Sequence, residues 1–96
     1  MKLTLEIINS FNLKKETYKP DYDDAGYEFI LPSGIRLVGF FMINGEPCDT
    51  DCLEGLDGYI YIDTKEELTE LVSLSNKELL NKVDKENPNF DINEWL

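Results

Sequence analysis

Apolar and polar positions alternate most cleanly between Tyr27 and Ile43. Residues 27–31 read as a strand, Pro32-Ser33-Gly34 as a tight turn and residues 35–43 as a longer strand, so the segment predicts a hairpin with a short glycine-containing connection. In the longer strand Ile35, Leu37, Gly39, Phe41 and Ile43 share one face, and Arg36, Val38, Phe40 and Met42 share the other. Both faces are largely apolar, which predicts a central strand covered on both sides, with Leu37 and Phe41 in the core. Asn44-Gly45 is the dipeptide of two-residue turns with positive φ. Residues 46–58 are too polar and too broken by glycine to make one regular strand, and alternation resumes over 59–62 with Tyr59 and Tyr61 against Ile60 and Ile62.

The apolar period then lengthens to three and four. Thr64 with Glu67 is a capping box, and Leu68, Leu71, Val72 and Leu74 follow at helical spacing, predicting a helix over 65–74. Ser75 with Glu78 repeats the signature ahead of Leu79, Leu80 and Val83, predicting a second helix over 76–85 that Asn87-Pro88 stops. Asp91 with Glu94 would start a last short turn that tucks Ile92, Trp95 and Leu96 against the body. The N-terminal segment fits both periods, since Leu3, Leu5 and Ile7 alternate while Leu5, Ile8 and Phe11 line a helical face. Thr4 as a cap, and Ile8 as a break in the alternation, favour helix. Residues 19–26 read as a loop from Pro20, three aspartates and Gly26. The expected fold is a small single α+β domain spanning 1–96: an antiparallel sheet of about three strands (27–31, 35–43, 59–62) packed by C-terminal helices (65–74, 76–85), with an N-terminal helix or strand.

Charge changes this picture from a fold to a partner. The chain carries 9 basic against 20 acidic residues, a net of −11, and has no histidine. Residues 1–19 are net +2 and residues 64–96 net −4, whereas residues 20–63 hold ten acids and one base, Arg36, for −9. Such a chain repels nucleic-acid phosphate and anionic membranes and favours basic protein surfaces. With 42% of its 96 residues apolar it can still build one core without disulfides or metals.

Absences narrow the chemistry. Without imidazole there is no Ser-His-Asp triad, no Cys-His pair and no usual zinc centre. Cys48 and Cys52 are separated by three residues rather than the two of redox motifs, and Glu46, Asp49, Asp51 and Glu54 around them disfavour the thiolate. A calcium loop started at Asp49 would need glycine where Glu54 stands and a bidentate acid where Ile60 stands. Gly55 and Gly58 sit among acids that would repel a phosphate, and no pair of carboxylates is marked out for glycoside hydrolysis. No catalytic residue, metal or cofactor is therefore expected. Residues 1–11 lack the pattern of a secretory signal and no stretch approaches the ~20 apolar residues of a membrane span, so the expected compartment is the cytoplasm, with reduced thiols.

What remains is an acidic surface interleaved with tyrosine, which combines electrostatic steering with rigid amphipathic contact area. The expected partner-binding residues are Asp21, Asp23, Asp24, Glu28, Asp49, Asp51, Glu54 and Asp57, with Tyr22 and Tyr27. The expected function is that of a non-catalytic inhibitor that occupies a basic, nucleic-acid-binding surface of a target protein, its carboxylates standing where phosphates would. In size and charge the chain resembles in character the phage-encoded anti-restriction and anti-CRISPR proteins; the likeness is compositional and carries no residues over. Two alternatives stay open at this level: an immunity protein that neutralises a basic toxin, and an accessory subunit of a larger assembly, homodimeric through its apolar strand faces.

Overall fold

A computed structural model describes residues 1–19, 23–50 and 52–95. Of the expected binding residues, Asp21, Tyr22 and Asp51 lie outside the described residues, as do Pro20 of the expected loop and Leu96 of the expected terminal turn. The chain opens with a short helix, α1 (Leu5–Asn9), and continues through strands β1 (Lys14–Tyr18), β2 (Ala25–Ile30), β3 (Arg36–Ile43), β4 (Glu46–Pro47), β5 (Leu53–Gly55) and β6 (Ile60–Ile62). Helices α2 (Lys65–Ser73) and α3 (Asn76–Glu86) follow. Thr4 caps α1 by accepting the Ile7 N–H at 3.2 Å, so the N-terminal segment is helical.

The sheet is antiparallel and six-stranded, not about three-stranded, in the order β1-β2-β3-β5-β6 with β4 paired to β3 beyond β5. Two causes account for the strands that sequence patterning overlooks. β1, Lys-Lys-Glu-Thr-Tyr, is an edge strand exposed along most of its length; its pairing with β2 is made by backbone groups, and no apolar alternation marks it. Its charges suit an open edge by discouraging further strand addition. β4 and β5 are two pieces of one outer strand against β3. Three residues lie between Val38 and Met42, while six lie between their partners Glu54 and Pro47, so the outer strand carries three extra residues and bulges.

The bulge is tied down by polar contacts. The Phe41 carbonyl accepts the Cys48 N–H at 2.9 Å, and the Thr50 hydroxyl donates to the Phe40 carbonyl at 2.7 Å. Thr50 is 1% exposed. Asp49 leans away and its Oδ1 accepts the Leu5 N–H at 3.1 Å, satisfying one of the orphan donors of α1. Asp49→Ala is accordingly expected to lower stability by about 1 kcal/mol, as lost helix caps do, measured by urea unfolding. Asp49→Asn, which keeps an acceptor, should recover most of it.

The expected hairpin turn is present: Asn44 and Gly45 adopt φ of 53° and 77°. Ser75 with Glu78 forms a complete capping box at α3 as its spacing predicts, whereas at α2 Thr64 accepts the Glu67 N–H and donates its hydroxyl to the Glu67 carboxylate at 3.0 Å, which is half of the expected box. Asp91 likewise caps a 3-10 turn, Ile92–Glu94, which brings Trp95 against the body.

Packing is one-sided. Phe29, Leu37, Leu53, Ile60 and Ile62 join Leu3, Ile8, Leu68, Leu71, Leu79, Leu80 and Val83 in a single core between the sheet and the helices. β3 is central within the sheet, as expected, but covered on one face only: Val38, Phe40 and Met42, on the face away from Leu37, are half-buried. Phe41 is also only half-buried, its ring 5.0 Å from that of Tyr27. Among the described residues no helix is long and apolar enough to cross a membrane.

Candidate partner-binding face

The uncovered face of the sheet is built by strand register. Cross-strand pairing sets Glu16 on β1 beside Glu28 on β2, Glu28 beside Val38 on β3, Val38 beside Glu54 on β5, and Glu54 beside Tyr61 on β6. Strict alternation then adds Tyr18, Arg36 and Phe40 to the same face. The Tyr18 and Phe40 rings meet edge to face with centroids 6.0 Å apart. Val38 and Phe40 floor an open groove of about 730 Å³ that Glu28, Arg36, Glu54 and Asp57 also line, reaching Trp95 at one end. Leu56 and Asp57 hold the left-handed backbone of the turn after β5, with φ of 49° and 55°.

Arg36 settles the charge of half this face. Its Nη1 donates to Glu16 Oε2 at 2.9 Å and also to Glu28 Oε1. The hydrogen bond to Glu28, and next that to Glu16, raise the guanidinium above its ordinary pKa. Glu28 is therefore paired within the molecule. Other internal ion pairs lie on the helices: the Met1 amine on Glu66 at 2.9 Å, and Lys82 on Glu70 at 3.9 Å and on Glu86 at 2.5 Å. That amine is the main cause holding the Glu66 carboxyl below its ordinary pKa, and Glu86 is the main cause raising the Lys82 ammonium. By contrast Asp23, Glu46, Glu54, Asp57 and Asp63 are exposed and form no ion pair among the described residues.

The expected binding residues do not converge on one spot. Glu28, Glu54 and Asp57 share the groove. Asp23 and Asp24 stand with the Asn44-Gly45 turn, where the Asp24 carboxylate accepts the Asn44 N–H at 2.8 Å and the Asp23 carbonyl accepts the Gly45 N–H at 2.8 Å. This turn lies past the far end of β3, about 13 Å from Phe40 and about 20 Å from Val38 of the groove floor at the rise of a strand. Asp49 serves α1. Tyr27 faces the core side, one step out of register with Glu28, with Lys15 Nζ 4.4 Å above its ring. Patterning overlooked Val38, Phe40 and Trp95 as surface residues. The signal was present in the second apolar row of β3, which reads equally well as buried when nothing in the sequence says whether a helix lies over it.

Cys48 and Cys52 are half-buried and not joined by a disulfide, and the Cys48 thiol donates to the Phe40 carbonyl at 3.5 Å. No group of three or more Cys, Asp or Glu side chains is arranged to hold a metal ion among the described residues. The chain matches no protein-family model, and no curated protein or solved structure matches it.

Proposed function

We propose that this protein is a non-catalytic acidic inhibitor that binds a basic, nucleic-acid-binding surface of a target protein and keeps nucleic acid off it. The observation that carries the reading is the distribution of ion pairs. Arg36, Lys82 and the Met1 amine pair with acids at Glu16 and Glu28 and on α2 and α3, while Asp23, Glu46, Glu54, Asp57 and Asp63 of the −9 segment stay exposed without an ion pair among the described residues. Carboxylates left unneutralised repel one another in the free protein, and a cationic surface relieves that repulsion on contact. Electrostatic complementarity of this kind acts chiefly on the rate of association.

The test is capture followed by displacement. A tagged chain should retain from cell extract a protein whose binding to nucleic acid is abolished by adding the purified chain. Asp23→Lys with Glu46→Lys, and separately Glu54→Lys, should slow association with that protein about tenfold at low salt, with the difference shrinking as salt is added. A captured partner that binds nucleic acid equally well with and without the chain would dispose of the proposal, as would association rates indifferent to both charge reversals.

A further inference from the structure

The groove on the open sheet face has a more specific chemistry than general acidity, and the molecule contains its own precedent. In the row Glu16, Glu28, Val38, Glu54, the first two carboxylates already grip a guanidinium, that of Arg36. Glu54, on the far side of Val38, is exposed and has no cation among the described residues. The four charged side chains lining the groove, Glu28, Arg36, Glu54 and Asp57, leave it net −2. Its floor is not polar: Val38 and Phe40 are half-buried there, with Tyr18 edge-on to Phe40.

We propose that this groove receives an arginine side chain of the partner protein. Its guanidinium pairs with the carboxylates of Glu54 and Asp57, and its stem and planar face lie on Val38 and Phe40. The inference rests on the acidic-inhibitor reading and adds to it the contact chemistry. Arginine rather than lysine follows from the floor. A guanidinium is planar, weakly hydrated and able to pair with carboxylate while stacking on an aromatic ring, whereas an ammonium keeps its water and gains little from Phe40. Charge on the rim attracts the segment, and the aromatic floor discriminates between the two cations.

Two nine-residue peptides, one alternating glycine with arginine and the other glycine with lysine, provide the probe. Each is titrated into the isotope-labelled full chain at moderate salt while backbone amide shifts are followed. The arginine peptide is expected to bind about threefold more tightly than the lysine peptide, the factor that a surface cation–π contact supplies. Shifts should centre on Val38, Phe40, Glu54 and Asp57. Glu54→Gln should weaken the arginine peptide by about threefold and narrow the gap between peptides. Asp57→Asn, chosen because asparagine tolerates the positive φ of 55° at that position, should act in the same direction.

Equal affinity for the two peptides, shifts centred on Glu66, Glu70 and Glu86 of the helices, an unchanged Glu54→Gln variant, or no binding by either peptide would each overturn the groove. No nucleic-acid-binding protein enters this measurement. Its failure would therefore leave the inhibitor reading to stand or fall on capture and displacement, and failure of the latter would leave the peptide result intact.

Discussion

Leu37→Ala is expected to lower the unfolding free energy by about 2–5 kcal/mol, the range for deleting a large aliphatic side chain from a closed core. Leu37 is 0% exposed, sits at the middle of the sheet opposite Phe29 on β2 and Gly55 on β5, and belongs to the cluster that joins the sheet to all three helices. Rigid strands on both sides limit how far the site can collapse around the missing atoms, which places the cost toward the upper part of the range. For a domain of this size each kcal/mol moves the melting temperature by about 4–8 °C, so thermal unfolding should show a drop of well over 10 °C. Phe41→Ala, four residues along on the same face, should cost visibly less because Phe41 is only half-buried. Equal melting of wild type and Leu37→Ala would be incompatible with a fully buried Leu37 at the centre of the sheet.

Gly26→Ala is expected to be at least as damaging as Leu37→Ala, for a purely steric reason. A Cβ at Gly26 would lie 2.1 Å from the Gly39 carbonyl oxygen and 3.0 Å from the Phe40 Cα, both main-chain atoms of β3 that cannot swing aside. Here β2 shifts register between Ala25 and Gly26, and the two strands approach closely because Gly26 carries no side chain. One methyl would have to push β2 off the central strand, and overpacking of this kind costs about 3 kcal/mol or more where backbone must move. Gly34 gives the contrast. It has φ of +94° but nothing within 4 Å of its would-be Cβ, so Gly34→Ala should cost only the left-handed strain of about 1–2 kcal/mol. Chemical unfolding of the two variants side by side separates crowding from dihedral strain, and a Gly26→Ala protein as stable as Gly34→Ala would contradict the strand spacing.

Legibility from sequence followed the kind of interaction that forms each element. Hairpin β2–β3, the Asn44-Gly45 turn and helices α2 and α3 with their Thr64 and Ser75 caps are set by neighbours within a few residues, and their patterns were readable within a residue or two at most ends. β1 is held by backbone bonds to a strand seven residues further along and has no buried side chain, so its Lys-Lys-Glu-Thr-Tyr run looked like loop. β5 is three residues long and is placed by pairing with β3 and β6, while Thr50 and Cys48 pin the bulge before it to β3. Among the acids, composition alone shows the surplus in residues 20–63. It cannot show that Asp24 and Asp49 hold backbone N–H groups, that Glu28 holds Arg36, or that Glu54 and Asp57 line one groove with Val38 and Phe40.

By itself, then, the amino-acid order determined the local elements, the one-domain size and the acidic surplus, because each of these depends on residue type and short spacing. Which face of the central strand stays open, and which carboxylates remain unspent on the protein's own donors, was decided only by tertiary structure. Both depend on register between strands far apart in the chain, where a shift of one residue exchanges the buried face for the exposed one.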